Sequence, residues 1–325
     1  MSAGGPPRGA RPPGGGERGE HGGEGPRADF VEVDGARLEV VRHAGDPART
    51  TIVLLHEGLG SVAMWRDFPA RLAHATGAGV VAYSRPGYGR SSPARLPRGV
   101  AYMHEEARTV LPRLLAALAI DRPILVGHSD GASIALIRAG EAPDTVAGVV
   151  AMAPHLFVED RSIASIDAAR EAWRTTDLPA RLARYHDDAD AAFRGWNDIW
   201  LHADFRAWTI EDTVARVRAP ILAIQGQDDE YGTMAQVDRI AALRPGTELL
   251  KLDACRHSPH RDRPDAVLAA VARFAAAVDR DGAALTEGRR TKVAAGGSPR
   301  ATGRPERAAP PGGRRTKFAS GGAHR

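Results

Sequence analysis

The chain has 325 residues, 43% of them hydrophobic, and a formal net charge of +4. That charge is uneven: residues 1–27 carry +1 and residues 281–325 carry +7, so −4 is left on residues 28–280. An acidic middle argues against a nucleic-acid-binding fold, the single cysteine, Cys255, excludes an intrachain disulfide, and no run of 18 apolar residues offers a membrane span.

Residues 1–27 are mostly Gly, Pro, Arg and Glu without apolar periodicity. Such a segment cannot bury enough surface to offset its ordering entropy and is expected to be disordered. It also lacks the apolar stretch of a secretory signal, so a cytoplasmic location is expected. Strands are expected at 30–34 and 37–43, flanking the hairpin signal Asp34-Gly35 and adding an antiparallel edge. Further strands are expected at 51–55, 79–83, 123–127, 147–152, 220–225 and 248–252. Three of these contain continuous apolar runs (Thr51–Leu55, Ile124–Val126, Ile221–Ile224), as in parallel strands covered on both faces. Helices are expected at about 61–76, 101–119, 130–140, 233–243 and 264–279; in the last, Val267, Val271, Phe274 and Val278 make one apolar face. This alternation predicts one three-layer α/β sandwich over 28–280 with a mostly parallel sheet.

Residues 156–216 interrupt the rhythm with several helices and no strands. They hold Trp173, Trp196, Trp200 and Trp208, four of the five tryptophans. Such an insertion can act as a lid. Its aromatics, Trp173, Trp196 and Trp200 foremost, either line an apolar substrate pocket or fill the insertion's own core. Residues 281–325 are read as a disordered basic tail; a near-duplicate, 288–297 and 313–322, is too short and polar for a solenoid.

The chemistry begins at Gly127-His-Ser-Asp-Gly131, between an expected strand and an expected helix. It matches G-x-S-x-G, a tight turn that lifts Ser129 above the sheet as a nucleophile. The turn also aims the helix N-terminus and the Asp130 N–H at a developing oxyanion. Serine needs a base, and His257 lies in the loop after the last strand; His260 is its rival, nearer the next helix. The imidazole needs an acid, and the loop after strand 220–225 offers Asp228, Asp229 and Glu230 in the order Ser, acid, His. The pattern contains neither H-E-x-x-H nor paired cysteines, so no metal and no organic cofactor is expected.

With these motifs in place, residues 30–280 resemble the α/β-hydrolase family. Beyond the elbow, Leu54-Leu-His56 with Gly58 and Gly60 resembles the family's His-Gly oxyanion loop, which implies the Gly58 N–H as second donor, with Leu59 next. Tyr83–Ser91 resembles its D-x-x-G-x-G-x-S turn. Gly226-Gln-Asp-Asp229 resembles the G-x-x-D acid loop, which selects Asp229, and His257-Ser-Pro-His260 resembles the histidine loop. Three departures stand out. Glu57 replaces the usual Gly and would repel an oxyanion unless it points away. Ser84 replaces the usual Asp, so the turn is held differently. Arg256 precedes His257, where a cation lowers an imidazole pKa unless a carboxylate such as Asp253 compensates.

The resemblance implies a hydrolase with Ser129, His257 and Asp229 as triad, acting on an ester or similar carbonyl of a small-molecule substrate. Carbon–carbon hydrolysis of aromatic-catabolism products, and ligand binding without catalysis, are the alternatives. Oligomeric state is left open.

Overall fold

The computed structural model describes residues 28–295, with side chains to residue 284. The chain opens with β1 (Asp29–Val33) and β2 (Ala36–His43), an antiparallel hairpin. Asp34 and Gly35 turn it with φ of 51° and 78°, the left-handed pair that a two-residue turn of this twist requires. Then come β3 (Ile52–Leu55), α1 (Phe68–Thr76), β4 (Val80–Tyr83), α2 (Tyr102–Glu105), α3 (Leu111–Ala117), β5 (Ile124–His128), α4 (Asp130–Glu141) and β6 (Gly148–Met152). An insertion follows: α5 (Asp160–Thr175), α6 (Leu178–Leu182), α7 (Ala189–Trp200) and α8 (Glu211–Val214). The core resumes with β7 (Ile221–Gly226), α9 (Ala235–Leu243), β8 (Glu248–Leu252), α10 (Pro259–Asp262) and α11 (Pro264–Ala295).

The eight strands form one sheet in the order β1-β2-β4-β3-β5-β6-β7-β8. Strands β3 to β8 are parallel, and β2 pairs antiparallel with β4, so the hairpin is the expected antiparallel edge. Alternation along the strands splits the core in two. Val53, Leu55, Leu125, Val149 and Ala223 face a core shared with α3, α4 and α9. Ile52, Leu54, Ile124, Val126, Val150 and Leu222 face a core shared with α1 and α11. The result is a three-layer sandwich.

Two expected helices are interrupted, each beside a proline. The stretch expected at 61–76 is a 3-10 turn over Val62–Trp65, a left-handed Arg66 (φ 55°) and then α1. Pro69 has no N–H to bond the Trp65 carbonyl, so a helix running through 65–69 loses a rung. Between α2 and α3 the backbone widens to a π turn over Glu106–Val110, just ahead of Pro112, whose ring would crowd the carbonyl of Arg108.

The insertion is helical, and an isolated antiparallel bridge, Phe157 to Thr209, ties its two ends. At the C-terminal end, a compact unit closes at Gly282 and a second begins at Ala283. Helix α11 continues to Ala295, so residues 281–295 are helical where the composition suggested disorder; Ala, Leu, Arg and Lys there are good helix formers. The disorder expected over 1–27 and over the rest of the tail lies outside the described residues. Among the described residues no helix is long and apolar enough to cross a membrane.

Candidate active site

Strand β5 delivers Ser129 into a backbone conformation (φ 53°, ψ −120°) that non-glycine residues rarely adopt, at a cost of roughly 1–3 kcal/mol. The sequence tolerates it because its flanks are bare. A Cβ on Gly127 would lie 2.3 Å from the Gly131 carbonyl oxygen, and one on Gly131 would lie 2.0 Å from that of Leu55. The Ser129 N–H donates to Met152 O at 2.9 Å, which ties the turn to β6.

The three residues singled out in the sequence meet here. His257 Nε2 lies 3.0 Å from Ser129 Oγ, and His257 Nδ1 lies 2.9 Å from both Asp229 carboxylate oxygens. Asp229 is buried, so it needs further donors. Gln225 Nε2 (2.7 Å), the Tyr231 N–H (2.8 Å) and the Gly232 N–H (3.2 Å) provide them. A carboxylate on Nδ1 puts the ring proton there and leaves Nε2 free to accept from the serine hydroxyl. The rivals go elsewhere. Asp228 is exposed. His260 is buried among Trp65 (4.9 Å between ring centres), Phe68 (5.4 Å) and His128 (4.9 Å).

Burial by itself would push the His257 imidazole down; the bond and charge of Asp229, with the charges of Glu230 and Glu57, outweigh it and hold the pKa above the ordinary value. The lowering expected from Arg256 does not occur. Arg256 is mostly exposed and pairs with Glu230 at 3.3 Å, and Glu230 also accepts the His257 N–H at 3.2 Å. The compensating carboxylate is Glu230 rather than Asp253. For Asp229, burial pushes upward, but the His257 bond and charge win and leave it below the usual carboxylate value.

The other two departures also find partners. Glu57 Oε2 lies 3.4 Å from His128 Nδ1. Burial pushes the Glu57 carboxyl up, but the neighbouring His128 outweighs that and holds it well below the usual range. His128 Nε2 in turn donates to the His257 carbonyl at 2.6 Å. At the turn, Ser84 Oγ donates to Glu39 Oε2 at 2.7 Å and accepts the Val62 N–H at 2.9 Å. The carboxylate that the family places on the turn is supplied here from β2. It also receives the Arg90 N–H at 3.1 Å.

The candidate oxyanion residues, Gly58 and Asp130, sit after β3 and at the first position of α4. Trp196 covers Gly58 so closely that a Cβ there would lie 2.2 Å from its Nε1. Trp200 Nε1 donates to Tyr102 Oη at 3.0 Å, and Tyr102 donates to Asp130 Oδ2 at 2.7 Å. Trp173 is not brought to these groups; it stacks on Phe193 at 4.2 Å, inside the insertion.

Sequence reasoning missed several neighbours. His155 follows β6, and its ring centre is 5.9 Å from that of His257; burial pushes its pKa down to about 4, so it is neutral. Tyr231 packs 4.6 Å from His257. The signal for His155 was available: it follows a parallel strand at the same sheet edge that singled out His257. Among the described residues no group of three or more His, Cys, Asp or Glu could hold a metal.

Comparison with known proteins places the fold in a family. The profile of the Alpha/beta hydrolase family matches residues 52–271. A Variovorax paradoxus (strain S110) protein named "Putative carbamate hydrolase RutD" is 32% identical over 209 residues, 56% of this chain and 76% of that protein. Among solved structures, the enol-lactonase of Burkholderia xenovorans LB400 superposes with a TM-score of 0.59 at 21% identity, over 76% of this chain and 99% of the other. The proline iminopeptidase of Mycobacterium smegmatis gives 0.63 at 18% identity, over 79% and 100%. At such identities the two structures speak for the fold alone.

Proposed function

The chain belongs to the alpha/beta hydrolase family, and from that membership we propose a serine hydrolase that cleaves a carboxylic ester or similar carbonyl compound through an acyl-enzyme. One observation carries the proposal: the continuous line Ser129 Oγ, His257, Asp229, with contacts of 3.0 and 2.9 Å. His257 takes the Ser129 proton as Oγ attacks the carbonyl carbon, and Asp229 stabilises the imidazolium that forms. The N–H groups of Asp130 and Gly58 receive the oxyanion, helped by the positive end of α4. The imidazolium returns its proton to the leaving group, and a water activated by the same imidazole releases the acid.

The carbamate and enol-lactone in the names of similar proteins are carbonyl compounds that pass through the same kind of tetrahedral anion. Trp196, over Gly58, and Trp200 are the residues we propose for the apolar wall that receives the substrate. Ser129→Ala is expected to lower turnover of p-nitrophenyl esters on the order of 10⁶-fold. A fluorophosphonate probe is expected to label Ser129 and no other serine. Full activity in the Ser129→Ala protein would end this reading. A panel of esters, lactones and vinylogous diketones then separates carbonyl-ester from carbon–carbon cleavage.

A further inference from the structure

We infer that Arg85 is a positioning residue of the oxyanion loop: its guanidinium, buried behind the elbow, fixes the Glu57–Gly58 peptide so that the Gly58 N–H is presented to the oxyanion. The inference rests on the serine hydrolase reading above and adds to it the device that orients one of its donors.

Arg85 follows β4 and is fully buried. Its Nη2 donates to the Glu57 carbonyl at 2.8 Å. The same oxygen receives His56 Nδ1 at 2.7 Å and the Gly60 N–H at 3.0 Å. The His56 tautomer is not free. Its Nε2 accepts the backbone N–H of Arg85 at 3.0 Å, so the ring proton must sit on Nδ1 and point at Glu57 O. The Arg85 side chain is thus one of the three donors, and its backbone N–H, which any residue there would keep, orients a second through His56. The Glu57–Gly58 peptide is trans, since the one cis bond among the described residues is Leu96–Pro97. In a trans peptide the C=O and N–H point in opposite directions, so clamping the Glu57 oxygen inward turns the Gly58 N–H outward. That N–H makes no hydrogen bond to another described residue.

The same cation also faces the side-chain carboxylate of Asp130, whose backbone N–H is the second proposed donor. Arg85 Nη2 lies 3.8 Å from Asp130 Oδ2, and the guanidinium carbon lies 4.7 Å from the centre of the Tyr88 ring. One buried charge therefore touches both the peptide before Gly58 and the Asp130 carboxylate. A charged donor on a peptide oxygen polarises that peptide and strengthens its N–H as a donor. An apolar side chain of similar volume would fill this space without the cost of desolvating a guanidinium, and Nε and Nη1 are buried without a hydrogen-bond partner, so the use of this arginine rests on Nη2 and its charge.

The test compares Arg85→Met and Arg85→Lys with the full-length wild-type protein and Ser129→Ala. Turnover of p-nitrophenyl butyrate and affinity for an alkyl boronic acid, which forms a tetrahedral anionic adduct on serine, are measured together with circular dichroism. Arg85→Met is expected to lower kcat by about 10- to 100-fold, the effect of losing much of one oxyanion donor. KM should stay within about two-fold, because the interaction is made mainly in the transition state. Boronate affinity should fall by the same factor as kcat, a parallel that mere loosening of the fold would not produce. Arg85→Lys keeps the charge beside Asp130 and is expected to fall between Met and wild type, so it decides the matter if the Met variant does not fold. Wild-type kcat and boronate affinity in whichever variant folds would overturn the inference, as would a change confined to KM. Should Ser129→Ala keep its activity, both the inference and the reading beneath it fall. Should Ser129→Ala be inactive while the Arg85 variants match wild type, only the inference falls.

Discussion

Charge placement around a single imidazole decides how this site responds to pH. Catalysis of the proposed kind needs neutral His257, and Asp229, Glu230 and Glu57 together hold its pKa above the ordinary 6.5. Activity is therefore expected to be lost as pH falls through that raised value, because the proton blocks the base. Glu230→Gln removes one of the charges that favour imidazolium, so the acidic limb of kcat/KM should move to lower pH; a pH–rate profile on one chromogenic ester checks the sign. Crowding is the other decisive property at this scale. Gly58 lies under Trp196 with no room for a methyl group. Gly58→Ala must displace the indole or the loop, and should lower kcat by about 10-fold or more if the loop moves off the oxyanion position. A crystal structure of that variant would show which of the two gives way.

At the scale of elements, the insertion is bonded to loops of the candidate site on both sides. From α5, Arg161 Nη1 donates to Asp229 O (2.8 Å), Ser162 Oγ to Tyr231 O (2.5 Å) and Ser165 Oγ to Glu230 O (2.5 Å). Three successive carbonyls of the acid loop are thus capped by one helix face, since positions i, i+1 and i+4 share a side of a helix. Between α6 and α7, His186 Nδ1 accepts the Gly89 N–H at 2.9 Å, so its Nε2 carries the proton that reaches Leu59 O at 3.0 Å. The insertion holds the loops proposed to carry the acid and the oxyanion donor as well as covering them. The double variant Ser162→Ala/Ser165→Ala leaves two carbonyls without these partners. It is expected to cost about 1–3 kcal/mol of stability, read by urea unfolding. A drop in kcat through looser placement of Asp229 should accompany it. None of this was legible from periodicity. A serine on a polar helix face reads as solvated until the helix is known to lie on a loop.

For the whole molecule, the parallel sheet buried on both faces sets stability and places every loop of the site at one edge. Leu54 is fully buried in the core shared with α1 and α11. Leu54→Ala is expected to cost about 2–5 kcal/mol, visible as a lower thermal midpoint. The register carries β3, β5, β6 and β7 to the same edge, where Leu55 stands beside Gly127, and Gly127 beside Ala151. The elbow, the His56 loop and His155 therefore emerge side by side. What the sequence alone determined was this framework: apolar runs of strand length, glycines where two backbones nearly touch, and an order of Ser, acid and His. These are local signals, because each reports the steric or solvation demand of its own short segment. What only the tertiary structure decided were the pairings across distance. Glu39 stands in for the carboxylate missing at Ser84, Glu230 answers Arg256, and Arg85 reaches Glu57 and Asp130. A polar or charged group takes whichever partner the fold brings within reach, and separation along the chain carries no record of that choice.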